Sequence, residues 1–344
     1  MLHLIASLHA PGIHEIAHFV DLARTAERGL LDAVFVDDGL AVPTADGGGG
    51  PGAAGGLEPL TLLAAVASAT QDIGLIATMS TTFHEPYLLA RALASLDHIS
   101  HGRAGWTIDT GGDLDEAANF HLDEPVEDAV RYERAAELLD VVTQLWDSWA
   151  DDAVTRAGVV DPRRVRQIEH IGLFFKVRGP LNVRRTPQGW PLLAQQAGSS
   201  ADEAEFAARY AETVFTPHRD VDKAAGFARE VKSRAAAYGR EPHLPLILPA
   251  LVPAGRPEQI ADVMQEWFEA GAADGFVVRP PAAAGGLTAF VNRVVPVLQR
   301  RGLFRSGYDG GTLRERFGLL RPEDHFPALD PLPRADFVPT LAVA

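Results

Sequence analysis

The 344-residue chain contains no cysteine. Disulfides, thiol nucleophiles and thiolate metal sites are therefore excluded as carriers of stability or chemistry. Positive charge is also scarce, with 31 Lys and Arg against 46 Asp and Glu and a formal net charge of −15. Phosphate backbones and anionic lipid repel such a protein, so no nucleic-acid and no membrane partner is expected. No segment reaches the roughly 18 uninterrupted apolar residues of a membrane span. The N-terminal MLHLIASLHAPGIHE lacks the basic region of a secretion signal, and its apolar run is broken by His3 and His9. A cytoplasmic location is the resulting expectation. The twelve histidines are scattered without HxH spacing, and no G-x-S-x-G or Walker sequence occurs. Neither a metal centre nor a hydrolytic triad is expected.

What the chain does have is alternation. Near-continuous apolar runs at 2–10, 31–38, 73–80, 103–110, 190–198, 212–217, 244–252 and 275–281 suit parallel strands covered on both faces. Helix-period segments lie between them, among them 13–29, 58–72, 85–100 and 129–149. Pro257 near the start of one later helix and Gly239 at the end of another fit the usual helix punctuation. Eight strand–helix units predict an α/β fold, a closed (β/α)8 TIM-like barrel forming a single domain over 1–344. An open doubly wound sheet is the rival, but it usually has fewer strands and a clearer domain break. Two long connections interrupt the rhythm. The stretch 44–56 is glycine-rich, and about 151–189 reads as an ordered insertion after the fourth barrel helix, lying over one barrel face. A C-terminal tail covers about 305–344.

Barrel enzymes build their sites at the C-terminal ends of the strands. Here these ends carry Asp37 and Asp38, then Ser80, Thr81, Thr82 and His84, then Thr107, Asp109 and Thr110, then Gln196 through Ser200. The stretch LLAQQAGSSADEAEF (192–206) turns from a strand through Gly-Ser-Ser into a helix. Its free N–H groups and hydroxyls can cradle an anion such as a phosphate. They can equally form a plain N-cap. Aromatic side chains lie near the same ends (Phe35, Phe83, Trp106, Phe120 and Tyr132), although Trp106 is better read as core. Hydroxyls, an anion cradle and apolar walls suit a phosphorylated cofactor or substrate. Arg178 and Arg185 in the insertion could meet an acidic substrate, but read more simply as solvated charge.

The run STTFHEPYLLARALASLDHISHGRAGWTIDT (80–110), with AANF at 117–120, resembles the luciferase-like flavin monooxygenases. The likeness is nearest to the nitrilotriacetate and dibenzothiophene-sulfone monooxygenase branch. RYERAAELLDVVTQLWDSW (131–149), VRGPLNVRRTPQGWPLLAQQAGSS (177–200), DGFVV (274–278) and RRGLFRSGYDGGTLRERFGL (300–319) extend it over nearly the whole chain. The resemblance implies a TIM-like barrel and a two-component monooxygenase. A separate flavin reductase would supply reduced FMN, and FMN with O2 would oxygenate a small organic substrate. It also suggests a homodimer or homotetramer. Carried over by position, Asp38 and Thr82 would lie near the flavin ring, and Asp128, Tyr132, Ser199 and Ser200 toward its phosphate. His84 is the one candidate for a catalytic proton donor, equally readable as a pocket-wall residue.

The chain departs from the family pattern at Thr107, Asp109, Gly111, Asp128 and Glu203. Asp128 replaces a histidine and Glu203 a glycine. Both additions should repel an anionic phosphate unless a cation such as Arg131 compensates. Two alternatives therefore stand beside FMN chemistry, an F420-dependent hydride transfer and a non-catalytic flavin-binding role.

Overall fold

The strand runs are short, apolar and rich in Val, Ile, Leu and Ala, and each finds partners on both edges. A computed structural model describes residues 1–8, 12–42, 56–155, 157–198, 200–280 and 285–324. Ser199 and nearly all of the glycine-rich stretch lie outside these residues. The strands are β1 (His3–Ser7), β2 (Ala33–Val36), β3 (Gly74–Ser80), β4 (Ala104–Asp109), β5 (His170–Ile171), β6 (Lys176–Val177), β7 (Leu192–Gln196), β8 (Thr213–Thr216), β9 (Leu246–Leu251) and β10 (Gly275–Val278). All except β5 and β6 form one closed parallel barrel in chain order, with β1 pairing β10 through Ile5 and Val277. All eight expected strands are present, as is the closure.

Helices α1 (Ile16–Arg28), α2 (Pro59–Ala69), α3 (Pro86–Ile99), α4 (Leu114–Ala118), α5 (Asp128–Trp146), α6 (Ala201–Tyr210), α7 (Val221–Ala237) and α8 (Pro257–Glu269) follow the strands. The expected last helix is broken into Gly286–Ala289, a π-helical turn at Phe290–Val294, and Val295–Arg300. Pro296 explains the break, because it has no N–H to give and its ring clashes with the preceding turn.

Alternate residues along each strand face opposite ways. Leu4, Val34, Leu75, Trp106, Ile108 and Leu193 join the layer beneath the helices. Ile5, Phe35, Ile76, Ala194, Phe215, Leu248 and Val277 fill the barrel interior. Leu313, Phe317 and Leu319 from the C-terminal segment belong to that interior cluster and close its N-terminal end. Trp106 is fully buried and its indole N–H donates to the Met79 carbonyl at 3.0 Å. Phe35 is interior core as well, so neither ring walls the mouth.

The connection from α5 to β7 starts and ends away from the mouth, while its Phe175 packs against Arg134 of α5. The connection must join a helix C-terminus to a strand N-terminus, and both lie at the opposite end. Gln188 donates to Asp97 at 2.6 Å and to the carbonyl of Ala104, the first residue of β4, at 2.8 Å. Arg185 is not solvated, contrary to expectation. It is buried, paired with Asp147 at 2.9 Å, and donates to the Pro322 and Glu323 carbonyls. Arg178 is exposed, as expected.

Candidate active site

The inward alternation that buries Phe35, Thr107, Ala194 and Val277 carries Asp37, Asp109, Gln196 and Arg279 to the rim at the C-terminal ends of the strands. There Gln196 Nε2 donates to Asp37 Oδ1 at 2.8 Å, and Arg279 faces Asp37 at 3.7 Å. Asp37 thus ties β2 to β7 and β10 across the barrel. Phe35 and Phe215 meet edge to face at 5.1 Å below it. A cavity of about 230 Å³ opens above, lined by Gln196, Gly198, Glu203, Phe215, Thr216 and Arg279 among others.

The other side of the mouth is acidic. Asp38 is half-buried, and lost hydration raises its pKa to about 6, with Glu58, Asp37 and Glu116 adding to the rise. Burial likewise raises Asp109 and Glu116 above the ordinary carboxylate range. Asp109 Oδ1 accepts the Gly111 N–H at 2.9 Å, and Glu116 Oε1 accepts the Leu40 N–H at 3.0 Å. One layer deeper, the buried hydroxyls of Thr78 and Thr107 have no partner among the described residues. Unpaired buried hydroxyls cost stability, which makes this region polar and incompletely satisfied.

Thr82 is buried, and its hydroxyl donates to the Gly111 carbonyl at 2.6 Å. Its own carbonyl accepts Arg134 Nε at 3.0 Å, while the Arg134 guanidinium lies 4.4 Å from the centre of the Phe175 ring. Arg134 thereby anchors α5 to the loop after β3. His84 Nδ1 donates to the Ser80 carbonyl at 3.0 Å, and burial holds the imidazole pKa below its usual value. At neutral pH this ring is an uncharged donor.

The turn after β7 holds the opposite end of the site. Gly198 has φ of 140°, and a Cβ there would lie 2.8 Å from Thr216 Oγ1, so only glycine fits. Ser200 is the N-cap of α6, its Oγ accepting the Glu203 N–H at 3.1 Å. Glu203 Oε2 in turn accepts the N–H groups of Ser200 at 3.3 Å and Gly198 at 3.0 Å. The Tyr132 hydroxyl lies between Thr110 and Ser200 with the Glu203 carboxylate near it, and burial raises its pKa. Its ring packs 5.7 Å from Phe206 of α6. Asp128 stands apart from this group. It is exposed in the first turn of α5, paired with Arg131.

Structure therefore brings Tyr132 and Ser200 together, places Thr82 at the adjoining loop and Asp38 across the mouth, and leaves Asp128 on the surface. Sequence reasoning missed Arg279, Arg134 and the seating of Glu203. The last had a signal in the S-x-x-E spacing of 200–203, the mark of a capping box.

The family model described as luciferase-like monooxygenase matches residues 2–254. The chain belongs to the luciferase-like monooxygenase family. It is 35% identical to N-acetyl-S-(2-succino)cysteine monooxygenase of Bacillus subtilis (strain 168), covering 90% of this chain and 91% of that one. Nitrilotriacetate monooxygenase component A of Aminobacter aminovorans is 36% identical with the same coverage. Among solved structures, EDTA monooxygenase from Chelativorans sp. superposes with a TM-score of 0.84 at 29% identity, covering 93% of this chain and 98% of that one. Family membership makes this chain a flavin-dependent monooxygenase, as the resemblance implied. An F420-dependent secondary alcohol dehydrogenase has a TM-score of 0.68 at 16% identity, a likeness of fold alone. No helix among the described residues is long and apolar enough to cross a membrane.

Proposed function

We propose that this chain is the oxygenase component of a two-component system. A separate flavin reductase hands it reduced FMN, and it oxygenates a small organic substrate with O2. The observation that carries the FMN assignment is the turn at 198–200. Its N–H groups already hold a carboxylate oxygen, so the cradle accepts an anionic oxygen at a helix N-terminus, as a phosphate monoester requires. The relative named as component A supports the division into components.

When bound, reduced FMN supplies the oxygen-activating chemistry. The protein's part is to bind, orient and exclude water. Ser200 and the turn's N–H groups, with the Tyr132 hydroxyl beside them, would hold the phosphate. Asp38 and Thr82 would flank the ring end. Thr82 has its hydroxyl hydrogen committed to Gly111, so it offers the ligand an acceptor and a methyl group. His84, uncharged at neutral pH, gives its one N–H to the Ser80 carbonyl and so offers the pocket an acceptor at Nε2 with no positive charge. Phe35 and Phe215 keep the floor of the mouth dry. Anaerobic calorimetry with reduced FMN tests the reading. Saturable binding is expected, and none up to about millimolar concentration, roughly 4 kcal/mol of affinity, would overturn it.

A further inference from the structure

A capping box normally satisfies helix donors and nothing more. The one at α6 reaches further. Glu203 Oε2 accepts from Ser200, as the box requires, and also from Gly198, two residues outside the helix N-cap. The same side chain walls the cavity that opens toward Gln196, Thr216 and Arg279. It also lies near the Tyr132 hydroxyl. One carboxylate thus occupies the point on which the turn, the helix N-terminus and Tyr132 converge.

We infer that Glu203 is an internal substitute for the cofactor's phosphate, which can bind only by displacing this carboxylate. The inference rests on the FMN reading above. Two anions cannot share the Gly198 and Ser200 donors, because each N–H has one hydrogen to give and the like charges repel. Displacement does not leave α6 uncapped, since the incoming phosphate takes over the same N–H groups and the same favourable end of the helix dipole. The binding step is an exchange of one anion for another. The phosphate therefore adds little net affinity, and discrimination between FMN and unphosphorylated riboflavin is set by Glu203. The neighbouring Arg131 is paired with Asp128 through one terminal nitrogen, and its buried Nε has no partner among the described residues, so it answers only part of the negative charge.

The experiment measures reduced FMN and reduced riboflavin by anaerobic calorimetry on the full chain, comparing wild type, Glu203→Ala and Glu203→Gln. Thermal unfolding verifies that each variant is folded. Wild type is expected to bind the two flavins within about tenfold of each other. Glu203→Ala should tighten FMN about tenfold and leave riboflavin within about twofold. Glu203→Gln keeps an acceptor for the two N–H groups but loses the charge, so its gain should be smaller and confined to FMN. The inference is overturned if Glu203→Ala weakens FMN, or if both flavins shift together. Should the alanine variant fail to fold, an unchanged FMN-to-riboflavin ratio in Glu203→Gln overturns it instead. Failure of every form to bind either flavin would remove the FMN reading and this inference with it. That outcome is distinct, because riboflavin binding is lost as well.

Discussion

The two ends of the barrel treat their charges in opposite ways. At the N-terminal end, buried charged side chains are hydrogen-bonded and several are paired with an opposite charge, Asp97 with its neutral donors and raised pKa being an exception. Glu212 accepts Arg314 at 2.8 Å and the Leu193 N–H at 3.0 Å. Asp32, wholly buried, accepts the Leu4 N–H at 2.6 Å and is flanked by His3 and Arg305. Arg103 donates to the carbonyls of Ile73, Ala67 and Thr70. At the mouth, Asp38, Asp109 and Glu116 crowd together with raised pKa values above two threonine hydroxyls that have no partner among the described residues. The lower end gains stability from its polar groups, whereas the upper end gives some of it up. Such a division is expected where one end of a barrel holds the fold and the other holds the chemistry.

The sharpest test of that contrast is Arg314→Ala. It strands the Glu212 carboxylate in the interior and should cost about 3–5 kcal/mol in denaturant unfolding. A loss below about 1 kcal/mol would mean that the lower end is not held by its ion pairs. At the mouth the sign should reverse. Asp109→Asn removes a buried charge yet keeps an acceptor for Gly111, and should stabilise by on the order of 1 kcal/mol at pH 8. Folding raises the Asp109 pKa, so the folded state holds its proton more tightly than the unfolded chain does. Stability therefore falls as pH climbs through the raised value, and the benefit of asparagine should fade toward acid pH. Unfolding curves of both proteins across pH check this, and a benefit independent of pH would contradict it.

Tyr132→Phe keeps the ring against Phe206 and removes only the hydroxyl. FMN binding should weaken about fivefold, about 1 kcal/mol, with the melting temperature little changed. Equal weakening of riboflavin would place this residue away from the phosphate. The smallest effect belongs to Asp38→Asn, because the group is partly solvated and screened. It should stabilise by a few tenths of a kcal/mol above pH 6, where the wild-type carboxylate is charged, and less below it. Parallel stability–pH curves for the two proteins would show that Asp38 is not desolvated.

Much of this was legible along the chain. Continuous apolar strands spaced by amphipathic helices specify a barrel, because only burial on both faces tolerates such runs. Once the barrel is read, Asp38, Thr82 and Ser200 follow as strand-end or helix-start residues. Asp128 shows the limit. A position in a helix's first turn does not say whether the side chain enters the mouth or the solvent, and here it pairs with Arg131 outside. Arg185 erred in the other direction, because its partners Asp147 and Asp151 and the carbonyls at 322 and 323 meet it only in the folded chain.

By itself the sequence determined the architecture, the family and the presence of an anion-seeking turn at 198–200, since periodicity and local motifs are properties of neighbours along the chain. Only the tertiary structure decided which charges are answered. Barrel closure sets Asp37 against Gln196 and Arg279, residues remote in sequence, and the seating of α6 on its turn decides that Glu203 fills the cradle. A carboxylate's chemistry depends on what lies within a few ångströms of it, and in this fold those distances are fixed by the packing of segments from opposite ends of the chain.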